Sequence, residues 1–349
     1  MGRVVLVTGV ARYLGGRLAQ VLQEDPSIER VIGVDVVPPA TDLGSAEFVR
    51  ADIRNPIISK VISSASVDTV VHMSVLAQPG RAGGRTIMKE VNVIGTMQLL
   101  AACQKAPSVR KLVVKSSTTV YGASPKDPAM FTEDMEPRSL PRSGFAKDSV
   151  EVEGYVRGFA RRRPDADVTV LRFANFLGAT METPMSAYFE LPLIPTVLGF
   201  DPRLQFMHPD DGLECLRLCT VEQRPGTFNV AGDGVLSLSQ AIRKTGRPRL
   251  PLPSALVSSV GGLVRRANVV DFSPEQLRFL TYGRGVDTTR MRQVLKFRPG
   301  YSTSACFDDF VRTRSLNTRF PSTAVLAVEQ RLLSALTAGT ARASAGTDG

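Results

Sequence analysis

The sequence predicts an α/β protein with a doubly wound parallel sheet, and three observations support this fold class. Strand-like and helix-like segments alternate through residues 1–178. The first apolar run, Val4–Val7, is continuous, which is typical of a strand covered on both faces. Leucines then recur at the spacing of one helix face, at Leu14, Leu18 and Leu22. Because such alternation folds as parallel strands joined by right-handed helical crossovers, we expect helices on both faces of the sheet.

The elements follow from the same patterns. Short β-branched apolar runs predict strands at Val4–Thr8, Val31–Asp35, Glu47–Ala51, Thr69–Met73, Lys111–Ser116 and Asp167–Arg172. Longer segments with helical spacing predict helices at Tyr13–Gln23, Ile57–Ser64, Thr86–Gln104 and Gly144–Arg161. Beyond residue 178 the pattern shortens and prolines interrupt it, which indicates a smaller, irregular lobe.

Three regions are therefore expected. Residues 1–178 form the sheet domain, and residues 179–315 form the smaller C-terminal lobe, with some strand and helix returning to the core. Residues 316–349 are predicted to be a C-terminal helix and a disordered tail, since the last residues are small and polar.

Composition excludes several classes of protein. The 349 residues include 43% hydrophobic and 22% charged residues, as in an ordinary globular protein. No run approaches the ~20 apolar residues of a membrane span, and the N-terminus lacks a signal-peptide layout. Four cysteines and two histidines form neither a metal pattern nor a disulfide framework; Cys215 and Cys219 fit one buried helix face. We expect no bound metal and a reducing, cytoplasmic setting.

The net charge of +10 arises entirely after residue 239, where 17 Lys and Arg residues stand against 7 Asp and Glu residues. This basic half favours an anionic ligand or surface, although a solvated basic surface is the simpler alternative. Nucleic acid is not expected, because the sequence shows no aromatic–basic interleaving, helix-turn-helix or zinc pattern.

A glycine-bent turn, T-G-V-A-R-Y-L-G-G, follows the first strand, and the second strand ends at Asp35 roughly 20 residues later. A strand, a glycine turn, a helix and an acid in this order form the dinucleotide-binding, or Rossmann, arrangement. The helix N-terminus faces the pyrophosphate and the acid accepts hydrogen bonds from the adenosine ribose. Asp35 would repel a 2′-phosphate, so the predicted cofactor is NAD rather than NADP.

Further motifs follow in series, including R-A-D-I-R-N-P, V-V-H-M-S-V, V-N-V-I-G-T, V-V-K-S-S-T-T-V-Y-G, L-R-F-A-N-F-L-G and L-Q-F-M-H-P-D-D-G-L-E. Together they resemble the extended short-chain dehydrogenase/reductase family, the branch with nucleotide-sugar epimerases and dehydratases. The resemblance spans roughly residues 3–315. It implies an NAD site formed by Gly9, Arg12, Tyr13, Leu14, Gly15, Asp35, Asp52, Ile53, Asn92 and Lys147. In it, Asp52 binds the adenine amino group and Ile53 packs on the ring.

One departure from the family pattern lies in the glycine turn. Arg12 stands at the middle glycine of T-G-x-x-G-x-x-G, and Tyr13 stands at the glycine of the alternative spacing, T-G-x-x-x-G-x-G. Gly9 and Gly15 preserve the tight turn and the close helix–strand packing. Arg12 either swings outward and pairs with phosphate, or faces solvent on a tolerant loop.

A second departure concerns catalysis. The family uses Y-x-x-x-K, and here Lys147 is preceded four residues earlier by Ser143, so the tyrosine is missing. The resemblance implies that Ser117 keeps the family's Ser/Thr position and that the catalytic set is Ser117, Lys147 and Ser143. A serine is a weak acid that works only when another base activates it. Two alternatives remain for the acid or base that replaces the tyrosine, namely a desolvated Lys147 and Tyr188 of the second lobe. Tyr155 is a poor substitute, because it lies on the wrong side of the helix.

Two classes of function fit these observations. The first is an oxidoreductase or isomerase acting on a nucleotide-sugar or similar alcohol, with an altered catalytic centre. The alternative is a non-catalytic dinucleotide-binding sensor or scaffold, with peripheral membrane contact through Leu250–Val264 as a further hypothesis. The resemblance also implies a homodimer that pairs the helices beginning near Thr86 and Gly144. Their apolar residues are Val91, Ile94, Met97, Leu99, Leu100, Val150, Val152 and Val156.

Overall fold

The structure is a computed structural model that describes residues 2–73, 77, 83–253 and 273–316. Its centre is a sheet of seven strands, all paired in parallel. These strands are β1 (Arg3–Thr8), β2 (Ile28–Asp35), β3 (Glu47–Arg50), β4 (Thr69–His72), β5 (Lys111–Ser117), β6 (Asp167–Phe173) and β11 (Gly226–Val230). Each of the six predicted strands is confirmed to within three residues at either end.

The strand order is β11-β6-β5-β4-β1-β2-β3, so the chain winds outward in both directions from β1. Thr8 at the end of β1 lies opposite Val34 on one side and His72 on the other. The order reverses between β1 and β4, and a doubly wound sheet binds its ligand in the crevice at that reversal. The predicted fold class is confirmed.

Helices cover both faces of the sheet. In the N-terminal part they are α1 (Tyr13–Leu22), α2 (Ile57–Ser64), α3 (Arg85–Lys89), α4 (Thr96–Lys105) and α5 (Gly144–Arg162). A π-helical turn at Glu90–Gly95 joins α3 to α4, where the sequence predicts one uninterrupted helix. The later helices are α6 (Pro184–Phe189), α7 (Pro209–Val221), α8 (Leu238–Thr245), α9 (Pro274–Tyr282), α10 (Thr289–Gln293) and α11 (Thr303–Thr313).

Two apolar layers hold these helices to the sheet. On one face, Leu18 of α1 and Cys215 of α7 belong to a single buried cluster with Val5 and Val7 of β1. On the other face, Ile62 of α2, Leu99 of α4 and Val156 of α5 form the second cluster. Burial on both faces explains why the strand sequences are continuously apolar rather than alternating.

The C-terminal lobe has its own aromatic core, which includes Tyr188, Phe189, Phe206 and Phe307. Three two-stranded sheets support it: β7 (Asn175–Phe176) with β10 (Phe206–Met207), β8 (Ile194–Val197) with β13 (Arg249–Leu252), and β9 (Arg203–Leu204) with β12 (Leu236–Ser237). Strand β11 pairs with β6 in the main sheet, and Cys215 of helix α7 packs on that sheet. The division of the chain into regions at residues 178 and 315 stays a prediction.

Two of the sequence expectations fall largely outside the described residues. Residues 254–264 of the apolar segment and residues 317–349 of the predicted C-terminal helix and tail are not covered. Within the described part of the chain, no helix combines the length and apolar character that a membrane crossing needs.

Candidate functional site

The glycine turn lies at the carboxyl end of β1, directly over the reversal of strand order. Gly9 has φ of +79°, a left-handed conformation that glycine adopts without strain. A Cβ at residue 15 would lie 2.2 Å from the carbonyl oxygen of Gly9, so α1 approaches β1 too closely for any other residue. Both roles predicted for Gly9 and Gly15 are therefore present in the structure. The first turn of α1, with Tyr13 and Leu14, begins immediately after Arg12.

Asp35 ends β2 beside this turn. Its carboxylate accepts hydrogen bonds from the backbone N–H of Ala11 at 3.0 Å and of Val36 at 2.7 Å. These bonds fix the acid next to the glycine turn, where the dinucleotide arrangement needs it. The ribose contact itself stays a prediction.

Asp52 and Ile53 follow β3 along the same edge. Asp52 forms an ion pair with Arg54, at 2.6 Å, and hydrogen bonds from Arg54 lower the pKa of the Asp52 carboxyl below its ordinary value. Arg54 also contacts Glu90 at 2.9 Å. Ile53 is buried, and a Cβ at Gly95 would lie 2.8 Å from its side chain. The contacts of Asp52 and Ile53 with adenine stay predictions.

Lys115 is a residue that the sequence analysis misses. It stands on β5 two residues before Ser117, so the two side chains leave the same face of the strand. Burial, with the guanidinium of Arg12 as a second cause, lowers the pKa of Lys115 to about 8. Among the described residues no carboxylate forms an ion pair with this ammonium group. A half-buried cation beside a glycine turn, with no ion pair to a carboxylate among the described residues, fits an anionic group such as a pyrophosphate.

Arg12 is the exposed N-cap residue of α1. Its guanidinium is close enough to Lys115 to contribute to the lowered pKa of that lysine. An exposed side chain near Lys115 is compatible with both sequence interpretations of Arg12, so its pairing with phosphate stays a prediction.

Lys147 lies in the first turn of α5, and its ammonium group is 3.7 Å from the carboxylate of Glu151. The side chain is 42% exposed. A solvated, paired lysine does not have the desolvation that a lysine base requires, so this alternative for the missing phenol loses its support. The position remains suited to hydrogen-bond a ribose.

Ser143 is the N-cap residue of α5 and is exposed. Its hydroxyl does not cap the helix; it donates to Oε1 of Glu275 at 2.5 Å. Glu275 belongs to α9 of the C-terminal lobe, 132 positions away in sequence. Thus a carboxylate lies directly against the residue that replaces the family's tyrosine.

Gly144 explains how this carboxylate approaches so closely. A Cβ at residue 144 would lie 1.9 Å from Oε2 of Glu275, and the residue has φ of +66°. Both the space and the backbone conformation therefore favour glycine.

A buried polar group supports the start of α5 from below. Asp148 is fully buried and accepts two hydrogen bonds of 2.6 Å from Arg85, which also donates to the carbonyl of Gly144 at 2.9 Å. Asn92, in the π-helical turn, is likewise buried and donates to Asp148 at 3.1 Å. Asn92 therefore anchors α5, and its predicted direct contact with a cofactor stays a prediction.

Ser117 ends β5, and its hydroxyl accepts a hydrogen bond from the backbone N–H of Thr119 at 3.2 Å. The neighbouring Ser116 points to the opposite face and donates to Glu153 on α5. Ser117 is thus held at the carboxyl edge of the sheet, as the resemblance implies.

The two tyrosines weighed as substitutes for the phenol lie elsewhere. Tyr188 is fully buried in the C-terminal lobe, and its hydroxyl donates to the carbonyl of Pro195 at 2.7 Å. Burial raises the pKa of its phenol far above the ordinary value, which disfavours proton transfer. Tyr155 is 40% exposed on the surface of α5.

A cleft of about 570 Å³ opens between the segment after β5 and helix α9. Among the described residues, its lining contains the basic side chains of Lys126, Arg138 and Arg278 and no acidic side chain. Phe200 and Tyr282 line it as well, with ring centroids 5.6 Å apart and both rings partly exposed. Volume, positive charge and aromatic surface suit a phosphate-bearing organic ligand.

The histidines and cysteines serve the core. His72 is buried between the hydroxyls of Thr8 and Thr96, at 3.0 and 2.8 Å, and burial lowers its pKa to about 4. All four cysteines are free and buried. In the described part of the chain no cluster of His, Cys, Asp and Glu side chains could hold a metal ion.

Lys115 and Glu275 are the two site residues that sequence reasoning misses, for different reasons. Lys115 carries a local signal, because a lysine inside an apolar strand just before S-S-T-T-V-Y-G breaks the pattern of a buried strand. Glu275 carries none, because it reaches Ser143 only through the packing of the two lobes.

The chain is similar in sequence to known proteins. The family model described as "NAD dependent epimerase/dehydratase family" matches residues 5–231. An uncharacterized protein of Mycobacterium tuberculosis (strain ATCC 25618 / H37Rv) is 50% identical over 318 residues, covering 90% of this chain and 85% of its own. UDP-glucose 4-epimerase 3 of Oryza sativa subsp. japonica is 32% identical over 192 residues, covering 51% of this chain and 50% of its own.

Solved structures share the fold. UDP-glucose 4-epimerase of Thermotoga maritima with UDP-glucose has a TM-score of 0.68 at 19% identity, covering 89% of this chain and 98% of its own. UDP-glucuronic acid 4-epimerase of Bacillus cereus in complex with NAD has a TM-score of 0.67 at 18% identity, covering 90% and 100%.

Proposed function

The chain belongs to the NAD-dependent epimerase/dehydratase family, and we propose that it moves a hydride between NAD and a hydroxyl-bearing carbon of a nucleotide-sugar. The observation that carries this proposal is the basic, aromatic cleft lined by residues 123–126, residues 138–139 and helix α9. The first two segments lie along the chain between Ser117 and Ser143, and α9 carries Glu275, which contacts Ser143. A hydride reaction needs its alcohol and its cofactor held together at this edge of the sheet.

For the cofactor, the turn at Gly9 and Gly15 and the acid at Asp35 support NAD. Asp35 is held beside the turn by two backbone N–H groups, so its charge would oppose a 2′-phosphate. Lys115 and Arg12 supply positive charge for the pyrophosphate. When bound, NAD supplies the hydride acceptor; the protein supplies position and charge.

The cleft offers a substrate two kinds of contact, one basic and one aromatic. Lys126, Arg138 and Arg278 suit a diphosphate, since charge-assisted hydrogen bonds to phosphate oxygens are strong. Phe200 and Tyr282 offer ring faces and edges to a base, and aromatic stacking accepts any base. The nucleotide-sugar epimerases among the similar structures agree with this substrate class.

At the reacting carbon, Ser117 orients the substrate oxygen and Lys147 holds the nicotinamide ribose. These roles come from the family resemblance, and the positions of both residues at the carboxyl edge of the sheet are consistent with them. Because the tyrosine of Y-x-x-x-K is missing, the family pattern does not identify the residue that accepts the proton.

Turnover with a substrate panel tests the proposal. The purified protein, supplied with NAD, is incubated with UDP-glucose, UDP-galactose, UDP-glucuronic acid and dTDP-glucose, and the products are identified by NMR. We expect conversion of at least one nucleotide-sugar, and tighter binding of NAD than of NADP in a parallel titration. Arg278→Gln should raise KM more than it lowers kcat.

Binding of NAD without conversion of any member of the panel would contradict the enzymatic proposal and return the protein to the non-catalytic alternative. Tighter binding of NADP would contradict only the role given to Asp35.

We also propose a homodimer in a reducing cytoplasmic setting. Met97 on α4 and Ile94 just before it are 40% and 42% exposed, and Tyr155 on α5 is 40% exposed. Leu99 and Val156, from the set named for this interface, are buried against the sheet instead. The four buried free thiols agree with a reducing compartment.

A further inference from the structure

The contact between Ser143 and Glu275 joins the two lobes at the position of the missing tyrosine. The hydroxyl of Ser143 donates a hydrogen bond to Oε1 of Glu275. Gly144 leaves room for the second carboxylate oxygen. The chain therefore places a base against the serine.

A basic group lies near this carboxylate. Hydrogen bonds to Asp148, with smaller contributions from the charges of Glu275 and Glu151, raise the pKa of the Arg85 guanidinium, so Arg85 and Glu275 are close enough to attract each other. Ser143 is exposed, so a substrate can reach its hydroxyl. An alcohol reacting with NAD must lose a proton, and here the accessible group is a serine already bound to an acceptor.

We propose that Ser143 and Glu275 form a proton relay that replaces the phenol of Y-x-x-x-K, an inference that rests on the function proposed above. Ser143 contacts the substrate hydroxyl and Glu275 receives the proton through it. Glu275 is a positioning and proton-accepting residue supplied by the C-terminal lobe.

During oxidation, the C–H bond of the substrate carbinol breaks, and its electron pair leaves as hydride to NAD, which is reduced. The O–H proton passes to Oγ of Ser143 while the proton of Oγ passes to Oε1 of Glu275, and the carbon–oxygen double bond forms. The carboxylate becomes a carboxylic acid. Return of hydride and proton reverses each transfer and regenerates the carboxylate and NAD.

A contact that only latches the lobes would look similar in the structure, so the variants must separate the two roles. Glu275→Gln keeps a carbonyl oxygen to accept from Ser143 but removes the base. Glu275→Asp keeps the base one methylene further back. Glu190→Gln is the matched control, since Glu190 is a partly exposed carboxylate of the same lobe that pairs with Arg314.

We expect Glu275→Gln and Ser143→Ala each to lower kcat by about 10²- to 10⁴-fold, the range for a lost general base. The double variant should be no worse than either single one, because the two residues act as a unit. The acidic limb of the kcat–pH profile should disappear in Glu275→Gln and persist in Glu275→Asp and Glu190→Gln. NAD affinity and melting temperature should stay near the wild-type values.

Ser143→Tyr provides an independent check. With a phenol at the family's position, Glu275→Gln in the Ser143→Tyr background should change kcat little. Unchanged kcat and pH profile in Glu275→Gln, with an active wild type, would overturn the relay and leave the proposed function standing. A wild type that binds NAD but converts no nucleotide-sugar would overturn both.

Discussion

Lys115 is the side chain whose electrostatics most favour a bound dinucleotide. Lys115 is half-buried on β5, and burial together with the guanidinium of Arg12, in the turn before α1, lowers the pKa of its ammonium. Among the described residues no carboxylate forms an ion pair with it. A pyrophosphate placed over the turn would supply the missing counter-charge and raise the pKa of Lys115 from its value of about 8.

Proton uptake on NAD binding tests this residue. At about pH 8.5 the lysine of the free protein is mostly neutral, so binding an anion should draw in roughly half a proton or more. Calorimetric titration in buffers of different ionisation enthalpy measures that uptake. In Lys115→Met the uptake should vanish, and NAD should bind roughly 10- to 100-fold more weakly, as for a lost charge-assisted hydrogen bond.

Lys111 provides the control, because it lies on the same strand and burial also lowers its pKa to about 8. Its ammonium donates to the carbonyl of Thr220 at 2.9 Å, at the opposite end of β5. Lys111→Met should keep the proton uptake. An uptake that survives in Lys115→Met, or disappears in Lys111→Met, would contradict the assignment.

Among the site residues, the sequence predicts those whose positions are determined by a local motif. Gly9 and Asp35 lie within one strand–turn–helix–strand unit, so their spacing alone brings them together. Glu275 meets Ser143 across 132 positions, and no periodicity encodes such a contact. The partner of the replaced tyrosine therefore becomes visible only once the lobes are packed.

At the scale of single elements, the junction of β1 and α1 carries the tightest constraint. A Cβ at residue 15 would meet backbone atoms of Gly9, which have little freedom to move. Gly15→Ala should therefore push α1 away from the turn, lowering the melting temperature and abolishing measurable NAD binding. Thermal unfolding and calorimetry check both effects.

Gly154→Ala is a suitable control for that variant. Gly154 lies within α5, where the nearest atom to a new Cβ is the end of the Arg157 side chain at 3.9 Å. Alanine should stabilise the helix there by roughly 0.5–1 kcal/mol. A Gly15→Ala protein that binds NAD as the wild type does would contradict the close approach.

The exposed apolar residues of α4 and α5 are the basis for the proposed homodimer. Met97→Glu places a charge on an exposed apolar position, so it should convert the proposed dimer to a monomer at micromolar concentration without loss of stability. Sedimentation velocity measures the change. A monomeric wild type would refute the interface.

For the molecule as a whole, His72 predicts how stability depends on pH. Its pKa is lowered from 6.5 to about 4 by burial, so the folded state binds its proton later than the unfolded state as the pH falls. The stability contributed by the neutral ring is complete above about pH 6.5 and decreases as the pH falls toward 4. The integrated loss is about 3 kcal/mol for this group.

Chemical denaturation between pH 7 and 4 tests that dependence, with His72→Gln as the comparison. The variant should be less stable at pH 7, because the bonds to Thr8 and Thr96 change, but its stability should decline less steeply. Equal slopes in the two proteins would show that His72 is not the titrating group.

The overall fold follows from the sequence more completely than the site does. Buried parallel strands and crossover helices are local patterns, and all six predicted strands are present in the sheet. The seventh strand, β11, comes from Gly226–Val230 beyond the predicted domain boundary, because the chain returns to the sheet edge after α7. Long-range return and lobe packing are the features that periodicity does not encode.

Reduction of NAD in a single turnover tests the central claim most directly. NAD-loaded protein is mixed rapidly with an excess of UDP-glucose or UDP-galactose while the near-ultraviolet absorption of reduced nicotinamide is recorded. We expect a transient rise that is slowed by deuterium at the reacting carbon and weakened in Lys147→Ala. Bound NAD that shows no reduction with any nucleotide-sugar of the panel would contradict it.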